Sequence, residues 1–115
     1  MKHAKKGRKF GRERDQRKAL MKSLVFNLVK DEKIKTTEAK AKELRPAIEK
    51  IITKAKTDNL ASRRLVSSRI GQIAAKKVFD KIAPKYKDRN GGYTRIIKMA
   101  PRKSDASRMA IIEFV

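Results

Sequence analysis

Between Met1 and Lys18 the chain has only two large apolar side chains, Met1 and Phe10, and carries nine lysines and arginines against two acids, Glu13 and Asp15. A stretch like this buries too little apolar surface to offset its own ordering entropy. It divides the chain into a basic extension, residues 1–13, and the remainder, residues 14–115, which must supply the core as a single domain. The whole chain has 115 residues, of which 39% are hydrophobic, enough for one modest core.

The charge constrains what such a domain meets. Lysine and arginine number 33 against 12 acids, a formal charge of +21. Self-repulsion at that charge opposes compaction, and a polyanion relieves it. Nucleic acid, an anionic membrane and an acidic protein are the candidates. There are no cysteines, which excludes a disulfide scaffold, thiolate metal sites and a cysteine nucleophile. No apolar run approaches the roughly 20 residues that cross a bilayer. The opening lacks the apolar core of a secretory signal. Its lysine-rich, serine-free composition also differs from a transit peptide, so it reads as part of the mature protein.

Apolar spacing predicts the elements. Leu20, Met21, Leu24, Val25, Leu28 and Val29 form one stripe on a helix from Asp15 to Lys30, with Asp15 as N-cap or first-turn acid. Phe26 lies off that stripe, and packing against a neighbouring segment is favoured over stacking on a base. Ile34 to Thr36 reads as a brief strand. Thr36 or Thr37 caps a second helix with Leu44, Ile48, Ile51, Ile52 and Ala55 on its buried face. Pro46 lies inside it and predicts a kink or break near Glu43 to Arg45. Asp58 or Asn59 caps a short third helix that stops before Gly71. Ile73, Ala74, Val78, Phe79 and Ile82 mark a fourth, interrupted at Pro84, after which Lys85 to Arg89 adds a turn. "RNGGYT" is a loop signal. Tyr93 to Met99 and Met109 to Val115 read as an antiparallel pair of strands. The sum is an α+β fold: a small sheet of about three strands packed with about four helices on one face, plus the basic extension.

Catalytic chemistry has little to work with. The one histidine, His3, lies in the extension, so neither a histidine triad nor a histidine metal cluster can be assembled. The acids are scattered among lysines. Gly7 and Gly11 lack the strand and the Lys-Ser or Lys-Thr of a phosphate loop. No catalytic residue, cofactor, metal or small-molecule substrate is expected. What remains is basicity, which binds phosphates by releasing counterions, and which favours nucleic acid over a merely solubilising tail. Physics alone leaves RNA and DNA open: no recognition helix, zinc finger or aromatic sheet signature stands out.

Several stretches narrow the choice. "GRKFGRERDQRKALMKSLVFNLVKDEKIKTTEAKAKELRP", "IITKAKTDNLASRRL", "RNGGYTRIIK" and the closing "MAIIEFV" occur in order over essentially the whole chain. Together they resemble the bacterial large-subunit ribosomal protein seventeen family. Departures from the family pattern are small: Lys2, Gly11 and Phe114 stand where Arg, Asn and Leu are usual.

The resemblance implies a structural protein of the large ribosomal subunit in the cytoplasm. Its partners would be large-subunit ribosomal RNA and neighbouring ribosomal proteins, without a membrane. The domain would sit near the polypeptide exit tunnel, with its extension threaded into RNA. Lys2, His3, Lys5, Lys6, Arg8, Lys9, Arg12 and Arg14 are the expected RNA contacts of the extension, continued by Arg17 and Lys18 on the first helix. His3 either hydrogen-bonds RNA or is merely exposed. Arg89, Gly91, Gly92 and Arg95 match the second motif, where the glycines either admit RNA closely or simply make a tight turn. Tyr93 is expected half-buried on the sheet, and Thr36 and Thr37 as strand end and cap. The rival readings are a DNA-compacting protein and a basic domain on anionic membranes.

Overall fold

A computed structural model describes residues 13–115. The described residues form four helices and a three-stranded antiparallel sheet in an α+β arrangement, with one strand after the first helix and two at the end. Helix α1 spans Arg14–Asp31 and buries Val25, Leu28 and Val29, with Met21 and Leu24 packed at the margin. It ends at Glu32, whose left-handed φ of 64° lets its N–H reach the Leu28 carbonyl at 2.7 Å. Lys85 and Lys77 approach the Glu32 carboxylate at 3.2 and 3.9 Å, tying this turn to the later helical segment.

Strand β1, Lys33–Thr37, leads directly into α2, Glu38–Ala55. Thr37 is the cap: its side chain accepts from the Lys40 N–H at 3.3 Å, and Glu38 supplies the first-turn acid. Of the kink or break expected near Glu43 to Arg45, the break does not occur: α2 runs uninterrupted through Pro46. Pro46 is exposed, so its missing donor falls on the solvent side of the helix. On the other side Ala41, Leu44, Ile48 and Ile52 are fully buried, each of the larger ones contributing about 1.5–3 kcal/mol. That burial outweighs the local cost of the proline.

Helix α3, Leu60–Ile70, is capped by Asn59, which accepts from the Ser62 N–H at 2.8 Å. Gly71, at φ 90° and ψ 160°, ends α3 and starts α4, Gln72–Lys77. The fourth helix differs from its expected course at one point. Ile73, expected in the core, is 81% exposed. The buried stripe is Ala74, Ala75, Val78, Phe79 and Ile82, and Ile73 lies one step off it. The interruption expected at Pro84 takes the form of a change of pitch. The helix widens first, with the Ala83 N–H bonding the Val78 carbonyl five residues back, and then tightens over Ala83–Tyr86. Widening the turn ahead of the proline makes room for its ring. Arg63 fastens α3 to this segment: it grips Asp58 at 2.6 and 2.9 Å and lies 4.8 Å from the Phe79 ring centre.

Strands β2, Thr94–Met99, and β3, Met109–Phe114, complete the sheet in the order β1-β3-β2. Ile34 and Ile96 flank Ile112 in register, and Ile112 is fully buried against the helices. The opposite face carries the rows Lys33–Glu113–Arg95 and Lys35–Ile111–Ile97. Between β2 and β3 the Arg102 guanidinium holds the Asp105 carboxylate at 3.0 and 2.9 Å, closing the loop.

Candidate nucleic-acid interface

Helix α2 organises the basic surface. Its buried face fixes it against the sheet, so the opposite ridge, Lys50, Thr53 and Lys54, borders two grooves. The first groove, about 630 Å³, runs between α1, α2 and α3 and is bordered by Lys18, Lys22, Lys50 and Arg69. The second, about 620 Å³, lies between α2, the start of α3 and the Gly91 turn, and is bordered by Lys50, Lys54, Asn59 and Gly91. Lys50 belongs to both. Among the described residues, no carboxylate pairs with Lys18, Lys22, Lys50, Lys54 or Arg69, and Glu49, which lines the second groove, is taken by Arg45. The result is a band of five unmatched cations from the start of α1 to the Gly91 turn.

The expected site residues distribute unevenly over this surface. Lys2, His3, Lys5, Lys6, Arg8, Lys9 and Arg12 lie outside the described residues. Arg14, Arg17 and Lys18 share one face of the first turns of α1, and Lys18 opens onto the first groove. Gly91 borders the second groove, with φ 104° and nothing within 4 Å of the position a Cβ would take. Gly92, at φ 63°, completes the turn. Arg89 folds back so that its Nε donates to the Gly91 carbonyl at 3.3 Å. Arg95 stands apart on the outer face of the sheet, where Glu113 meets it at 2.9 Å. Phe26 is 36% exposed beside Ile70 and Lys22, at the edge of the helical layer.

Tyr93 is buried more deeply than the half-buried position expected for it. It is 1% exposed and lines the second groove. The Thr53 hydroxyl is 3.3 Å away and the Lys56 ammonium donates to it at 3.2 Å. Those donors, Thr53 foremost, hold the phenol below its usual pKa. Lys56 also reaches the Arg89 carbonyl, so one lysine anchors both the tyrosine and the turn that carries the glycines.

Sequence reasoning missed Lys22, Lys50, Lys54, Arg69 and Thr53 as one surface. The four-residue spacing of Lys50 and Lys54 puts them on one helix face, but only the packing of α3 beside α2 turns that face into the wall of a groove. Among the described residues no group of three or more histidine, cysteine or acidic side chains is placed to hold a metal ion. No described helix is long and apolar enough to cross a membrane.

Comparison with known proteins decides the family. The family model described as ribosomal protein L17 matches residues 20–115. The chain belongs to the ribosomal protein L17 family. A relative from Fusobacterium nucleatum, named large ribosomal subunit protein bL17, is 51% identical over 117 residues, covering all of both chains. The protein of the same name from Sphingopyxis alaskensis is 53% identical, covering all of this chain and 84% of the relative. That from Shouchella clausii is 50% identical, covering 93% of this chain and 97% of its own. This is a family of ribosomal proteins and not of enzymes.

Proposed function

We propose that this chain is a structural component of the large ribosomal subunit in the bacterial cytoplasm. Phosphate contacts hold it to large-subunit ribosomal RNA. The contacts come from the cations of residues 1–13, continue through Arg14, Arg17 and Lys18, and pass along the band of Lys22, Lys50, Lys54 and Arg69 towards Gly91. A site near the polypeptide exit tunnel, contacts with neighbouring ribosomal proteins, and roles for Arg89, Gly92 and Arg95 belong to the same proposal. The observation that carries it is the band itself. Five cations without a carboxylate partner line two adjoining grooves that begin where the basic extension joins α1. Concentrated like charge of this kind is costly unless a polyanion meets it.

The test is sedimentation of a cell lysate, first at physiological and then at higher salt, with the protein followed across the gradient. Co-migration with large subunits through a moderate salt wash is expected. Protein that runs free, or that follows chromosomal DNA, overturns the proposal. With purified protein and ribosomal RNA, affinity should fall steeply with salt.

A further inference from the structure

We infer that the second groove holds one RNA-backbone phosphate, received by the Thr53–Tyr93 hydroxyl pair and by Lys50 and Lys54. This rests on the RNA reading above and deepens it, from a charged surface to a built subsite.

Thr53 and Tyr93 each carry one hydroxyl proton, and the two oxygens share one hydrogen bond of 3.3 Å. Lys56 donates to the Tyr93 oxygen from another side. Whichever hydroxyl donates to the other, one proton stays without an acceptor among the described residues. The usual local outlet for a helical threonine, a carbonyl in its own preceding turn, is not engaged by Thr53. Tyr93 as a whole is almost wholly buried, and its hydroxyl pair gains a further bond when an acceptor enters the groove. Both residues line the groove, so an acceptor seated there lies beside the pair.

The electrostatics select an anion. Lys56 polarises the pair, which makes the spare hydroxyl a stronger donor to a negative acceptor. Lys50 and Lys54 stand on the same helix and on the same groove. The one acid there, Glu49, is already occupied: Thr94 donates to it at 2.9 Å and Arg45 approaches at 3.5 Å. Opposite, the open space over Gly91 leaves the backbone accessible to a sugar–phosphate chain.

Two measurements on the full chain test this. In the first, inorganic phosphate is titrated into the wild-type protein while the Thr53 methyl and Tyr93 ring resonances are followed. Saturable shifts there are expected, and shifts confined to other surfaces overturn the subsite. In the second, affinity for large-subunit ribosomal RNA is measured against salt. Thr53→Val/Tyr93→Phe should weaken binding about tenfold with an unchanged salt slope, because neutral groups release no counterions. Thr53→Ser/Tyr93→Phe should recover most of that loss. Lys50→Gln/Lys54→Gln should lower the slope as well, by roughly 0.7 per lysine. Wild-type protein that binds the RNA steeply with salt while Thr53→Val/Tyr93→Phe matches it sinks the subsite alone. Wild-type protein without salt-dependent RNA binding sinks the functional proposal beneath it.

Discussion

The Tyr86 hydroxyl donates to the Val115 carbonyl at 2.7 Å, joining the end of the tightened helical turn to the residue that follows β3. The Val115 N–H in turn bonds the Tyr93 carbonyl at 2.9 Å, and the Tyr86 and Tyr93 rings meet with centres 5.2 Å apart. Tyr86 is 4% exposed, and the bond itself is partly buried. Tyr86→Phe should cost about 1 kcal/mol, and Tyr86→Ala about 3–5 kcal/mol because it also opens a cavity. Chemical denaturation of the two variants beside wild type measures both.

Alkaline stability follows from the same residue. Burial pushes the Tyr86 phenol above its usual pKa. The folded state therefore keeps this proton more tightly than the unfolded chain does. Its contribution is complete below the unfolded value, about 10, and is lost as pH rises beyond it. Melting curves between neutral and strongly alkaline pH should show a decline that is smaller in Tyr86→Phe.

Acid acts on other groups. Glu32, Glu38, Asp58 and Asp105 are all held below the usual carboxylate range. The chief causes are hydrogen bonds from Lys85, Lys42, Arg63 and Arg102 respectively. Lowered carboxylates bind protons less well folded than unfolded. Their stabilisation is present above the unfolded values, about 4, and disappears as pH falls through the folded ones. NMR titration should find Asp105 protonating at a lower pH than Asp58. High salt should narrow the difference, since all these pairs are at the surface.

The fourth helix gives a clean pair of substitutions. Ile82 is 1% exposed and Ile73 is 81% exposed, although sequence pattern groups them together. Ile82→Ala should cost about 2–5 kcal/mol, and Ile73→Ser about 0.5 kcal/mol or less. Equal losses in urea unfolding would refute the assignment of the stripe.

Gly71 isolates backbone strain from crowding. A Cβ there meets nothing within 4 Å, yet φ is 90°. Gly71→Ala should therefore destabilise by about 1–3 kcal/mol from conformation alone. A melting temperature equal to wild type would show that the α3–α4 junction relaxes.

Lysine position should matter more than lysine number. Lys50 borders both grooves, whereas Lys33 lies on the outer face of the sheet. Lys50→Gln should weaken binding to ribosomal RNA and lower its salt slope by about 0.7–0.9. Lys33→Gln, with the same change in net charge, should do neither. Equal effects would mean that the surface acts only through total charge.

Much of this was legible from apolar spacing. The stripe of α1, the buried face of α2 and the three strands follow from periods of 3.6 and 2. The unbroken course at Pro46 and the form of the interruption at Pro84 were not, because a local rule about proline competes with burial of Leu44, Ile48 and Ile82, and tertiary packing decides. The cation band and the Thr53–Tyr93 pair were hidden for a related reason. Their members lie far apart in sequence, and only the docking of α3 and the Gly91 turn against α2 brings them together.

The strand order β1-β3-β2 also sets a timetable. Both outer strands pair only with β3, which is made after both of them. Until then β1 and β2 have no ladder, and Ile34 and Ile96 lack the Ile112 that lies between them. The helices can assemble early through nearby contacts, while the sheet waits for long-range closure. A chain halted before Met109 would carry two bare strands and most of its positive charge, so synthesis of the final strand acts as the step that commits the molecule to its native form.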